Sequence, residues 1–175
     1  MHAILSGLRS EDFYMVRPED QIVETSSGES KEELEIDVDT LSKRDGRIFV
    51  FHLLYAMDAC EYQVSLESVV DNFCREFKYC LKKDSPLFVE TQAIIDERDT
   101  LDNHIKPLLD NWRFERLGVC TRLIMRLALW EILHTATDTI VIINEAIELA
   151  KCFAETDAYK FINGLLDEWV KKNKN

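Results

Sequence analysis

The stretch "VIINEAIELAK" at residues 141–151 decides what kind of fold this chain builds. It opens on a β-branched run, Val141-Ile142-Ile143, that would suit a strand, and continues in strong helix formers. From Ile143 onward the apolar residues fall at 143, 146, 147, 150 and 153, the spacing of an amphipathic helix. Glu145, Glu148 and Lys151 take the opposite side. Glu148 and Lys151 are spaced for an ordinary surface pair, and Glu145 near the helix start complements the dipole. A catalytic carboxylate needs a desolvating pocket and an oriented partner. Nothing near Glu145 or Glu148 supplies either, so the stretch reads as a helix with one buried face and one solvated face.

The rest of the chain agrees with helices. Of 175 residues only five are glycine and three proline, while 46% are hydrophobic. That excludes a sandwich or barrel of many short strands and predicts one all-α domain with a sizeable core. Helices are expected over Thr40–Asp58 and Ser65–Lys83, the latter with Ser65 as N-cap and a stripe of Leu66, Val69, Val70, Phe73, Phe77 and Leu81. Ser85-Pro86 restarts a helix, a cap followed by proline at the first helical position. "LDNHIKPLLDNW" (101–112) is a shorter helical piece that Pro107 bends or begins. "LGVCTRLIMRLALWEIL" (117–133) is apolar almost all round from Leu123 to Trp130, as in a central helix, with Arg122 and Arg126 as its polar line. In "DAYKFINGLLDEWVKK" (157–172), Phe161, Ile162, Leu165 and Trp169 are expected to face inward.

Charge is unevenly spread. The net charge is −12, yet residues 1–41 hold eleven acidic residues against three basic ones and carry −8 of it. Residues 1–40 are therefore expected to form an acidic, disordered extension, and residues 41–175 the folded domain. Bulk charge repels a polyanion, but the domain itself is far less acidic. No apolar run reaches membrane-spanning length and the start lacks a secretory pattern, so no membrane association is expected. The cysteines (60, 74, 80, 120 and 152) are odd in number and without a CxxC pair. They suit buried positions on helical faces in a reduced, cytoplasmic compartment. His2, His52, His104 and His134 lack ligand spacing, and nucleotide-binding and hydrolase motifs are absent. No enzyme activity, metal or cofactor is expected.

One constellation stands out. In "SKRDGRIFVFHLLYAMD" (42–58), Lys43, Arg44 and Arg47 crowd the first turns of a helix, where cations oppose the dipole. Phe51 and Tyr55 follow on the same wheel side. Cations beside aromatics suit single-stranded RNA, phosphates meeting the charges and bases stacking on the rings. A solvated helix end with packed aromatics is the alternative, about equally supported by the pattern alone.

Three segments together resemble the NusB family of transcription antitermination factors: "SKRDGRIFVFHLLYAMD", "WRFERLGVCTRLIMRLALWEIL" and "VIINEAIELAKCFAETDAYKFINGLLDEW". The resemblance spans roughly residues 42–170. It implies a helical domain of two small helical subdomains, binding to boxA-type single-stranded RNA in nascent, especially ribosomal, transcripts, and pairing with the ribosomal protein NusE. Other antitermination factors and RNA polymerase would be engaged indirectly, by a monomer or homodimer. The family's arginine-rich start corresponds to Lys43, Arg44 and Arg47, and its following aromatic to Tyr55. Its acidic residue before the last helix corresponds to Asp157, followed by Lys160 and Phe161, also on the RNA side. Asp157 reads equally as the N-cap of that helix. Partner contact is assigned to Thr121, Arg122, Glu145 and Glu148, with Thr121 standing where the family usually has an acid. Asp45 and Gly46 interrupt the basic cluster, which is expected to remove a cation and weaken the helix start. Two other readings compete: a protein-binding helical module with a decayed RNA face, and the domain that precedes ribosomal RNA cytosine methyltransferases. The latter would need a following catalytic domain, and the sequence stops at Asn175.

Overall fold

A computed structural model describes residues 36–77, 79–110 and 112–173. The acidic stretch 1–35, with His2, and the Cys80 side chain lie outside the described residues. Among the described residues seven α-helices make the fold all-α, and they divide between two compact units that meet in sequence at Phe88 and Val89.

The first unit opens with a two-residue strand, β1 (Ile36–Asp37), and a 3-10 turn at Val38–Thr40. Val38 is buried. The chain then enters α1 (Lys43–Ala59), capped by Ser42. Residues 49–54 of α1 are buried without interruption, so the helix is enclosed on every side through its middle. Two residues with left-handed backbone, Glu61 and Tyr62, end it, and Tyr62 N–H donates back to the Met57 carbonyl at 3.0 Å. Next comes α2 (Leu66–Phe77). Ser65 Oγ accepts from Ser68 N–H at 3.3 Å, the cap geometry expected of it. Leu66, Val69, Val70 and Phe73 are buried, and the Phe73 ring meets Phe49 edge-on at 5.5 Å, joining α2 to α1. The sequence led one to expect this helix to reach Lys83. Instead it ends at Phe77, and β2 (Tyr79–Cys80) pairs in parallel with β1.

Helix α3 (Pro86–Asp96) starts at the expected proline and runs past the division between the units. The second unit continues with α4 (Arg98–Ile105) and a 3-10 turn at Lys106–Leu108 that contains Pro107. A second 3-10 turn, Phe114–Arg116, leads into α5 (Val119–His134). Every residue from Leu123 to Leu129 is buried, as a central helix requires. Arg126, of the expected polar line, is buried: its Nε and Nη2 each donate to a carboxylate oxygen of Asp102 at 2.7 Å. Helix α6 (Thr139–Phe153) answers the question raised by "VIINEAIELAK". Asp138 caps it by accepting from Ile140 N–H at 2.8 Å, so the β-branched run forms its first turns. Ile142, Ile143, Ala146, Leu149 and Ala150 are buried, against α5 on one side and α7 (Ala158–Asn173) on the other. In α7, Ile162, Leu165, Leu166 and Trp169 are buried, but Phe161 is 37% exposed and does not join the core. Among the described residues no helix is long and apolar enough to cross a membrane.

Candidate nucleic-acid interface

The basic start of α1 is built around Ser42. Its backbone is extended (φ −61°, ψ 158°), and its Oγ accepts from Asp45 N–H at 3.2 Å. Its hydroxyl donates to Asp45 Oδ2 at 2.6 Å. Asp45 therefore strengthens the helix start that it was expected to weaken, adding a negative charge where the helix dipole is positive. Gly46 also has a reason: a Cβ there would come within 3.3 Å of Leu87 Cδ2, so the missing side chain admits Leu87 against the helix. The interruption of the basic cluster is what holds the cluster in place. Lys43 and Arg44 are exposed and Arg47 is half-buried.

The aromatics of this helix divide. Phe51 is 2% exposed, with its ring 5.6 Å from His52 and 6.4 Å from Tyr55. It offers no face to a base, which corrects its place among the RNA-contacting residues. The helical wheel puts Phe51 on the side of Arg44 and Arg47, but at Phe51 that side is already buried. Tyr55 remains half-buried and is the aromatic available on this helix. His52, also buried, is pushed down to about 4 by loss of solvation and is neutral near pH 7.

On the second unit, Asp157, Lys160 and Phe161 stand together at the start of α7. Asp157 has φ 68°, a left-handed backbone that Asp tolerates better than most residues. Its Oδ1 holds Lys160 Nζ at 2.8 Å. That hydrogen bond, followed by the charge of Asp157, raises the Lys160 pKa. The sequence reading missed Tyr159. Its ring lies 5.7 Å from Lys151 Nζ and 5.6 Å from Lys160 Nζ. Lys160 is its sequence neighbour, but Lys151 comes from α6, and no local pattern announces that pairing.

The residues assigned to partner contact separate too. Thr121 is 3% exposed, and its hydroxyl donates to Glu155 Oε2 at 2.9 Å. Buried, and with its hydroxyl proton given to Glu155, it presents almost no surface to a partner. Arg122, Glu145 and Glu148 are half-buried, and Glu148 pairs with Lys151 at 2.7 Å as its spacing suggested. Cys152 is exposed, contrary to the expectation for the cysteines. Burial, then the charge of Glu155, raises the Cys120 pKa and keeps it a poor nucleophile. No group of acidic, histidine or cysteine side chains suited to a metal occurs among the described residues.

The described residues form a small helical domain of two units with a capped, cation-bearing helix start. The family model described as the NusB family matches residues 44–171, and the chain belongs to that family of transcription antitermination factors. A transcription antitermination protein NusB of Staphylococcus epidermidis is 35% identical over 126 residues, covering 72% of this chain and 96% of that protein. The protein of the same name from Helicobacter hepaticus is 39% identical over 140 residues, covering 76% and 86%. The solved structure of T. maritima NusB superposes with a TM-score of 0.66 at 29% identity, covering 75% of this chain and 92% of that one. NusB from Aquifex aeolicus shares the fold, with a TM-score of 0.56 at 22% identity over 73% and 86%.

Proposed function

We propose that this chain acts in transcription antitermination by binding boxA-type single-stranded RNA in nascent ribosomal transcripts, together with the ribosomal protein NusE. The observation that carries the reading is the start of α1. Lys43 and Arg44 are exposed beside Arg47 on a turn fixed by the Ser42–Asp45 cap. Cations gathered at the positive end of a helix dipole oppose folding locally, and an RNA backbone offsets that opposition. Tyr55 on α1, and Phe161 with Lys160 on α7, are the further RNA contacts in this reading. Glu145, Glu148 and Arg122 serve the protein partner, and Thr121 acts only by positioning Glu155. The chain needs no cofactor, does no covalent chemistry and works in the cytoplasm.

The test is a titration of the full chain with labelled boxA-type RNA across a salt series. Arg44→Ala and Arg47→Ala are each expected to weaken binding and to flatten the plot of log affinity against log salt by about 0.7, the value for one single-strand phosphate contact. Wild-type affinity and slope in both variants would remove RNA from this site.

A further inference from the structure

The connection between α4 and α5 presents a tryptophan to solvent among cations. Trp112 is 54% exposed, although its segment is pinned at both ends by the buried Leu109 and Leu117. The pinning is reinforced by the backbone. Trp112 N–H donates to the Leu109 carbonyl at 3.3 Å, Arg116 N–H to Arg113 at 3.0 Å and Leu117 N–H to Phe114 at 3.1 Å. The indole is thus held partly in water on a turn fixed by its backbone, where its ring surface is open to a planar group such as a base. Lys106, Arg113 and Arg116, within six residues of it in sequence, are exposed. Lys106 Nζ lies 5.4 Å from the Phe114 ring. Arg113 Nε is 3.6 Å from Glu115, with both side chains largely in solvent, and Asp110 lies near Lys172 at the end of α7. Three cations thus outnumber two acids over residues 106–116, on a chain whose total charge is −12.

We infer that Trp112, with Lys106, Arg113 and Arg116, forms a second contact for single-stranded RNA, the indole stacking on an unpaired base and the cations taking the flanking phosphates. Every base has a π-face, so this contact adds affinity without reading sequence. The two arginines, on either side of Phe114, supply planar donor forks that suit phosphate. The inference rests on the RNA reading above, but on different residues.

The experiment titrates the full chain with a boxA-type single-stranded RNA of about 12 nucleotides, within the range of single-strand binding sites. Binding is followed by anisotropy of the labelled RNA and by tryptophan emission. Of the three tryptophans, Trp169 is buried and the Trp130 ring stacks on His134, which leaves Trp112 as the reporter in solvent. RNA is expected to quench emission, and Trp112→Phe to abolish the quenching while staying within about threefold of wild-type affinity. Trp112→Ala is expected to weaken binding about tenfold, as for loss of one stacked base. Arg116→Gln is expected to lower the salt slope by about 0.7. Quenching that persists in an Arg44→Ala/Arg47→Ala chain supports this contact even if those variants bind RNA as wild type does, an outcome that removes only the α1 site. Wild-type emission that RNA leaves unquenched, together with wild-type affinity in Trp112→Ala, overturns the inference, whether or not the α1 variants weaken binding. So does a Trp112→Ala chain impaired toward a protein partner alone, or a chain that binds no RNA.

Discussion

Thr121 and Glu155, thirty-four residues apart, are joined by a hydrogen bond of 2.9 Å from the threonine hydroxyl to Oε2. The bond ties the first turn of α5 to the loop between α6 and α7. Gly118, the N-cap of α5, has no side chain to cap with, and a Cβ there would lie 1.5 Å from Glu155 Oε1. The carboxylate therefore occupies the space that a side chain at 118 would fill, and sets its negative charge at the positive end of α5. Thr121→Val is expected to lower stability by about 1 kcal/mol, as for one partly buried hydrogen bond. Gly118→Ala pushes the same carboxylate aside and is expected to cost a similar amount. Because both variants break one contact, urea unfolding of the double variant should show a loss well below the sum. Additive losses would show that the two residues do not share Glu155.

Arg126 and Asp102 form a buried ion pair, a two-pronged bridge between α5 and α4. Removing one partner strands a charge away from water. Arg126→Met is accordingly expected to cost about 3–5 kcal/mol. The double variant Arg126→Met/Asp102→Leu is expected to recover most of that loss, since neither charge of the pair is left without the other. Equal instability in the single and double variants would show that the helices need the charges themselves.

His52 makes stability depend on pH. Burial holds its folded-state pKa at about 4, below the unfolded value of 6.5. The unfolded chain therefore binds the proton more readily. The folded state has its full stability above about pH 6.5 and loses it as pH falls toward 4. The loss from this group is about 2 kcal/mol by pH 5. His52→Gln removes the ionisation, so its unfolding free energy should fall less than that of wild type between pH 7 and pH 5. Parallel losses in the two chains would place the acid sensitivity elsewhere.

Glu145 and Glu148 carry the reading of α6 as a solvated face. Glu145→Gln and Glu148→Gln are each expected to leave RNA affinity unchanged and to shift stability within about 0.5 kcal/mol. Pull-down with NusE should weaken if the face serves that partner. A fall in RNA affinity from either substitution would move the RNA surface onto α6.

Much of the fold could be read from local signals. Ser85-Pro86, the Ser65 cap and the apolar run 123–129 each act within a turn or two of chain, and the structure follows them. Contacts between distant segments could not be read in this way. Helix α2 stops short of Lys83 because β2 is claimed by β1, more than forty residues earlier in the chain. A helical wheel gives the side on which Phe51 lies but not that this side is covered, and it places Phe161 inward although nothing packs over it fully. Asp45 and Gly46 look like defects in a basic motif until the Ser42 cap and Leu87 supply their reasons. The polar line of α5 shows Arg126 but not its partner, because Asp102 belongs to another helix. For the candidate site, the residue types were legible and their exposure was not: Lys43 and Arg44 are outward, Phe51 and Thr121 are not.

The central claim, sequence-selective binding of single-stranded RNA, is tested most directly by one comparison. The full chain is titrated with boxA-type RNA and with a scrambled RNA of the same length and composition, at one fixed salt concentration near the physiological value. Tighter binding to the boxA-type RNA is expected, with the preference kept in Glu145→Gln and affinity for both RNAs reduced in Arg44→Ala. Equal affinity for the two RNAs, unaffected by Arg44→Ala, would contradict it.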